Sequence, residues 1–557
     1  MPDEPHPPAS SYAGRWVARL RGKVIAQGGT PELARRAAKS SRYKENPEII
    51  YMSASFSIPP LLERIKAVLP LGQDVYLVGG AVRDLLLNRL SHDFDFAVPS
   101  NGISLAKKVA NKIQADYMTL DNERDTGRVI VNEADGTRIF LDFASYRGDS
   151  LEADLHARDF TINALAFDLQ NNTIIDPLEG AVDLRAKRIR ACSPTSFSDD
   201  PVRILRAVRM AAAFGFQIEK ESREWMKQAA GQIGRVSPER LRDELFKILE
   251  GPKPDASIRA LDMLGVLAHL LPELTELKGV EQSAPHVYDV WNHTLAILGE
   301  LESILLALRI GFPADESNDL FTGLLAVRLG RYREQFSKHF AESLNTDRSV
   351  RALLFFAALY HDVRKPQTKT IELSGRIRFF DHDILGSEVA AERGRAFNLS
   401  NDEINRLRLI IGNHMRIHFH TSRMEGEKKM PSRRAIYRFF RDAGEAGVDL
   451  VLLSLADLRA TRANTLTQET WSANLDVCRI LLENYWEKPE ETVMPPRLLS
   501  GDDLMSELDL QPGPVIGELL EAIRENQATG KIDMRQQAIE YAREWLISKQ
   551  NLNQSEK

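Results

Sequence analysis

Cysteine is scarce in this sequence: Cys192 and Cys478 are the only two among 557 residues. Two thiols supply neither a disulfide framework nor a zinc-binding set, which fits a reducing compartment. No apolar run approaches the roughly 20 residues that span a bilayer, and Met1 to Ser11 is polar and proline-rich, unlike a secretory signal. A cytoplasmic protein with no membrane role is expected. A large charge excess is also missing. The formal net charge is −6, so any nucleic-acid binding must come from local basic patches. Internal repeats and long low-complexity segments are absent. What remains is an ordinary globular composition, 43% hydrophobic and 27% charged, at a length that calls for several domains.

Against that background one stretch is unusually specific. The apolar run Val75 to Val78 reads as a buried strand, broken by Gly79-Gly80 into an amphipathic helix, Ala81 to Leu87, that carries Arg83 and Asp84. A second strand follows with Asp93-Phe94-Asp95. In a strand, i and i+2 share a face, so both carboxylates project together while Phe94 and Phe96 face the core. Two like charges at that spacing call for a cation, typically a hard divalent ion. The glycines let backbone N–H groups approach an anion closely, with a helix start behind them. Each feature alone is commonplace, a turn or a solvated strand face. Together they predict a phosphate cradle beside a metal-binding carboxylate pair.

This segment resembles the signature of polymerase-β-type nucleotidyltransferases, specifically the class II tRNA CCA-adding enzymes and bacterial poly(A) polymerases. The resemblance implies two magnesium ions clamped by three acidic groups. Asp142, at the end of a strand expected to lie beside that of Asp93 and Asp95, is the third candidate, weighed against a solvated strand end. Gly79, Gly80 and Arg83 would face phosphates, and Arg147 is a weaker candidate. Arg158-Asp159-Phe160-Thr161-Ile162-Asn163-Ala164 matches the family's ribose-associated motif. Asp159 and Asn163, at i and i+4, are expected on one helical face. Ala157 stands where the family has the first arginine of a pair, so Arg158 carries the remaining charge.

Asp199-Asp200-Pro201-Val202-Arg203-Ile204-Leu205-Arg206 resembles the family's Glu-Asp-x-x-Arg box, with Asp199 in place of glutamate. Cytosine and adenine each present an amino donor beside a ring-nitrogen acceptor. An aspartate and an arginine at i and i+3 offer the complementary pair. Uracil and guanine would leave both unpaired, a cost of a few kcal/mol and roughly a hundredfold rejection. The plainer reading is an Asp N-cap followed by Pro at the first helical position. Asp200 and Arg203 are the expected template, with Arg206 a further nucleotide contact. Arg240 and Glu244 read as a structural pair.

Farther on, His293, His361-Asp362, His382, His414 and Asp457 follow the order seen in HD-domain phosphohydrolases. That resemblance implies a site for nickel, manganese or zinc that activates water. The family's small glycine is replaced by Arg364, followed by Lys365-Pro366. Near the C-terminus, Gly501-Asp502-Asp503 and Gly513-Pro514-Val515 resemble the tail of CCA-adding enzymes.

The expected fold class is α+β: a nucleotidyltransferase head with a small mixed sheet, then all-helical neck, HD and tail domains. The boundaries are 1–53 for an N-terminal appendage, 54–175 for the head, and 176–275 for the neck with the template motif. They continue with 285–465 for the HD block and 497–550 for a tRNA-binding tail. The appendage is read as a hairpin and a short helix, with no chemistry assigned. The resemblance implies transfer of C and A from CTP and ATP to the tRNA 3′ end with release of pyrophosphate; no obligate protein partner is inferable. Alternatives are A-only or CC-only addition, a poly(A) polymerase, or an HD phosphohydrolase with an RNA-binding head. The basic Gly-Arg-Arg-Phe-type segment of poly(A) polymerases is missing after Asp95, where Ser100 to Gln114 reads as an ordinary helix. Leu120 to Gly127 is the candidate loop for switching the template from C to A.

Overall fold

The computed structural model describes residues 12–555, except 13, 41–44, 53–57, 71, 90, 134, 311–318 and 346–347. The proline-rich stretch 1–11 thus lies outside the described residues. The chain forms two compact units, Met1–Val236 and Ser237–Lys557, so the boundary falls within the span read as the neck.

The first unit begins with β1 (Arg15–Leu20), β2 (Lys23–Gly28), α1 (Pro31–Ser40) and β3 (Glu48–Met52). The hairpin and helix match expectation. The strand β3, which the sequence reading did not include, pairs antiparallel with β1 and completes a three-stranded sheet in the order β2-β1-β3.

The head follows as α2 (Pro60–Val68), β4 (Tyr76–Val78), α3 (Gly80–Leu86), β5 (Asp93–Val98), α4 (Gly102–Ile113), β6 (Asp116–Asp121), β7 (Thr126–Asn132) and β8 (Arg138–Ser145). Next come α5 (Leu151–His156), β9 (Ala166–Asp168), β10 (Thr173–Ile175) and α6 (Gly180–Arg185). Seven strands form one mixed sheet in the order β10-β9-β4-β5-β8-β7-β6. Within this sheet β5 and β8 pair in parallel, which sets Asp95 directly opposite Asp142. Alternation along β5 buries Phe94 and Phe96 and leaves Asp93 and Asp95 on the open face. Phe96 stacks on Phe143 of β8 with ring centroids 4.6 Å apart, so the strand is anchored from its buried side. After a short strand β11 (Arg188–Ile189) come α7 (Ser196–Asp199) and α8 (Arg203–Phe214).

The second unit is largely helical, but the block 285–465 is not all-helical. Lys369–Ile371 pairs with Ile377–Phe379, and Ser343–Asn345 with Arg348–Ser349, in two small antiparallel ladders. Gly375, with φ of 80°, supplies the turn of the first hairpin. Its register places His382 at the start of the helix His382–Ala396. The tail has its own core, built on Leu504, Leu519, Ile523, Ala538 and Ala542. No helix among the described residues is long and apolar enough to cross a membrane.

Candidate active site

Asp93 and Asp95 share the open face of β5. Crowding that strips water from Asp95 raises its carboxyl above the usual range, and the negative charges of Asp142 and Asp93 add to this, while Arg158 opposes it. Such a carboxylate cluster stabilises a bound cation. Asp142 stands in register beside Asp95, but both of its oxygens accept hydrogen bonds from Arg128, at 2.7 Å each. Arg128 is its cross-strand neighbour on β7 and lies over the Phe140 ring at 5.0 Å. Asp142 therefore holds an arginine in this structure while standing directly across from Asp95.

Gly79 adopts φ of 77°, and a Cβ there would lie 2.9 Å from Arg158 Nη1 and 3.5 Å from Asp95 Oδ2. Glycine suits this position because a φ of 77° strains any L side chain, and a Cβ would also press on the tip of Arg158. The Gly79 N–H is bonded to Leu165 O at 3.2 Å, so its contribution is room for close approach. Arg158 is held by Asp154, whose Oδ2 accepts from Nε at 3.1 Å and Nη2 at 2.9 Å. The other oxygen of Asp154 accepts the Arg147 N–H at 3.1 Å. Asp154 itself is 2% exposed. Neither Asp154 nor Arg128 was anticipated. The i, i+4 spacing of Asp154 and Arg158 across the end of α5 was the available signal for the first; cross-strand pairing conceals the second.

The segment Thr161–Asn163 is a single 3-10 turn, not the α-helix expected from its spacing. Its side chains nevertheless meet. Asn163 Nδ2 donates to Asp159 Oδ1 at 3.0 Å, and Asn163 Oδ1 accepts from Arg83 Nη1 at 2.6 Å. Arg83 is forked onto Asp84 at 2.9 Å, and Arg206 onto Asp159 at 3.0 and 2.8 Å. Burial would raise the Asp159 carboxyl, but Arg206 and these hydrogen bonds outweigh it and hold it low. One chain of charged contacts thus joins α3, the ribose-associated motif and α8. Asp159 and Asn163 position their neighbours in this structure.

Asp200 and Arg203 do not share a helix. Asp200 is extended (φ −146°, ψ 94°) after α7, and α8 begins at Arg203, because Pro201 interrupts the helical run between them. The two charges are 4.0 Å apart, so they remain neighbours across the turn. Arg203 also donates to Ser196 Oγ at 2.9 Å and Ala157 O at 3.0 Å, fixing its guanidinium against the ribose-associated motif. The Leu120 to Gly127 segment is a tight hairpin turn. Asp125 accepts from the N–H groups of Gly102 and Ile103 at 2.8 and 3.1 Å and from Ser145 Oγ at 2.5 Å. Asp125 thus ties the end of this turn to the start of α4 and to β8.

In the second unit, His293, His361 and Asp457 bring ligand atoms within 4.8 Å of one another, as do Asp362, His382 and His414. All six side chains are buried. Asp362 faces both groups: Oδ2 is 3.0 Å from His361 Nε2, and Oδ1 is 3.4 Å from His382 Nε2. His361, His382 and His414 each place Nδ1 2.7–2.9 Å from a backbone carbonyl, of Ala358, Phe379 and Ile411. Only a protonated nitrogen can donate there, so the three Nε2 lone pairs face inward. His382 Nε2 and His414 Nε2 lie 3.3 Å apart. Two lone pairs at that distance repel unless a cation lies between them. The donor set therefore fits a divalent transition metal. Two further groups join: Lys365 Nζ lies 2.7 Å from Asp362 Oδ2, and His418 Nε2 2.7 Å from Asp457 Oδ2. His418 sits four residues after His414, a spacing that could have revealed it. Arg364 has an ordinary backbone conformation (φ −96°), so the backbone there does not need the glycine it replaces.

Residues 75–190 match the Poly A polymerase head domain model, and 215–278 match a model described as "Probable RNA and SrmB- binding site of polymerase A". Residues 323–457 match the HD domain, and 497–542 match tRNA nucleotidyltransferase domain 2. The chain is 30% identical over 476 residues to the A-adding tRNA nucleotidyltransferase of Deinococcus radiodurans, covering 84% of this chain and 95% of that protein. It is also 30% identical over 482 residues to the CC-adding tRNA nucleotidyltransferase of Thermus thermophilus, covering 85% and 94%. A CCA-adding enzyme solved with CTP has a similar fold, with a TM-score of 0.57 at 22% identity over 88% of this chain and 96% of that one. The Thermotoga maritima CCA-adding enzyme complexed with tRNA gives 0.53 at 23% identity, over 88% and 97%.

Proposed function

This chain belongs to the tRNA nucleotidyltransferase family, and from that premise we propose that it transfers C and A residues from CTP and ATP to the 3′ end of tRNA. The terminal 3′-oxygen forms a bond to the α-phosphorus, the α–β phosphoanhydride breaks, and pyrophosphate leaves. The observation that carries this reading is the meeting of Asp93 and Asp95 with Gly79 and Arg158 on one open face. Magnesium held by the two aspartates would acidify the attacking hydroxyl and neutralise triphosphate charge. Arg158, clamped by Asp154, is placed to take a phosphate oxygen in a fixed orientation. Arg83 and Arg128, each hydrogen-bonded to a neighbouring aspartate, are further candidates to meet phosphate. Asp200 and Arg203 present an acceptor and a donor 4.0 Å apart, the pattern that suits the pairing edges of C and A. A tRNA substrate supports the cytoplasm as the place of action.

A second reading within the same chemistry is partial addition, CC only or A only. The A-adding and CC-adding relatives, each 30% identical over most of this chain, support it. Incubation with tRNA ending before CCA, after CC and after CCA, with each nucleotide singly, separates these. Products one, two or three residues longer identify the activity, and no extension of any tRNA would overturn the reading. For the second unit, we infer a nickel-, manganese- or zinc-type metal held by His293, His361, Asp362, His382, His414 and Asp457, and phosphoester hydrolysis as its chemistry. When bound, the metal would supply activated water. The inward Nε2 lone pairs support this reading, and metal content of the purified protein tests it.

A further inference from the structure

Residues 1–53 contain nine Lys and Arg against five Asp and Glu, opposite in sign to a chain of net charge −6. The described part of this segment is fastened to the head. Arg15, 2% exposed, donates to Glu179 at 2.6 Å and lies 3.9 Å from Asp176. Gly29 O accepts the Asp176 N–H at 2.9 Å, and a Cβ on Gly29 would sit 1.7 Å from Asp176 O. Tyr51 OH accepts the Ile174 N–H at 2.9 Å. The outer surface of the module is therefore held in a fixed place on the head.

That surface is cationic. Helix α1 turns Ala34 and Ala38 inward and leaves Arg35, Arg36 and Lys39 exposed. The chain reverses at Gly28–Gly29, so α1 packs back along β2 and returns its last turn toward the β1–β2 turn, where Arg21 and Lys23 are exposed. Arg21 pairs with Glu45. Lys23, Arg35, Arg36 and Lys39 make no ion pair among the described residues. Arg35 and Lys39 are separated by about 6 Å along the helix axis. No large apolar side chain of α1 is exposed, so the face lacks the wedge an interfacial membrane helix needs.

We propose that the outward face of α1, with Lys23, is an accessory contact for the RNA phosphate backbone that extends the tRNA-binding surface of the head. This inference rests on the tRNA reading above. It predicts sequence-independent, salt-sensitive binding energy with no role in nucleotide selection. The test is the full-length chain carrying R35A, R36A and K39A together. Dissociation constants for tRNA are measured by fluorescence anisotropy from about 50 to 300 mM KCl, and nucleotide addition is measured at saturating tRNA.

Each lost phosphate contact should weaken binding by about 5- to 8-fold at ~0.1 M salt and lower the slope of log K against log salt by about 0.7–0.9. The rate at saturating tRNA and the melting temperature should be unchanged, and R35K/R36K should bind like the parent. Equal affinity and slope in the triple variant would overturn the inference. So would binding to anionic vesicles that the substitutions abolish while tRNA binding stays intact. A parent protein that binds tRNA yet adds no nucleotide would instead overturn the nucleotidyltransferase reading, so the two failures are distinguishable.

Discussion

Asp154 provides a sharp test of how the head is assembled. Its buried carboxylate makes two hydrogen bonds to Arg158 and one to the Arg147 backbone. Asp154→Ala leaves the Arg158 guanidinium, whose side chain is 14% exposed, without its fixed partner. Breaking a buried ion pair from one side costs about 3–5 kcal/mol. Arg158 keeps some solvent and can turn toward Asp95, so about 3 kcal/mol is expected. For a unit of this size that corresponds to a fall in melting temperature of roughly 6–12 °C, readable by differential scanning fluorimetry. The functional effect should be larger than the stability loss implies. An Arg158 that swings onto Asp95 neutralises a carboxylate needed for the cation and no longer presents a fixed fork to phosphate. The expected result is a KM for CTP raised about tenfold, with kcat lowered as well. Asp154→Asn retains the volume and one acceptor and should fall between Ala and the parent. Parental kcat and KM in Asp154→Ala, with or without a lower melting temperature, would refute the positioning argument.

Three further outcomes are expected. Asp93→Ala or Asp95→Ala should abolish nucleotide addition without unfolding the head, since both lie on an open strand face; addition assays alongside circular dichroism decide this. A double-mutant cycle on Arg128→Ala and Asp142→Ala should show strong coupling in kcat if Asp142 acts by holding Arg128, and additive losses if each acts alone. His361→Ala with Asp362→Ala should remove bound transition metal, measured by plasma mass spectrometry, while leaving nucleotide addition at the parental rate.

The sequence made the strand face of Asp93 and Asp95 legible because two-residue alternation is a local property, fixed by flanking Phe94 and Phe96. The same holds for Gly79, where the turn from strand to helix takes a positive φ that favours glycine. Contacts set by strand order were beyond reach. Nothing near Asp142 in sequence announces that a parallel β5–β8 pairing and an antiparallel β7–β8 pairing will place Asp95 on one side of it and Arg128 on the other. Helical spacing also misled in a specific way. Asp159/Asn163 and Asp200/Arg203 were assigned to helices, yet a 3-10 turn and a proline break bring each pair together by other geometry. The spacing identified the partners but not the backbone that joins them. The strand β3 had a weaker signal, a short apolar run whose partner β1 lies more than thirty residues upstream.

The two proposed centres would divide metals by the chemistry of their donors. In the head, two carboxylates project from an open strand face, leaving most of an ion's coordination to water and to the oxygens of a triphosphate. That arrangement suits magnesium, which dehydrates reluctantly and takes few protein ligands. In the second unit the donors are mainly buried imidazoles, with three Nδ1 atoms committed to backbone carbonyls and their Nε2 lone pairs crowded together. That arrangement disfavours a strongly hydrated hard ion and favours a borderline metal that binds nitrogen. Asp362 sits between the two donor groups, with one oxygen toward each, and Lys365 supplies a positive charge at the same carboxylate. On the proposed reading, burial, ligand type and the hydrogen bonds behind each histidine would let one chain hold two cation sites that need not compete for the same ion.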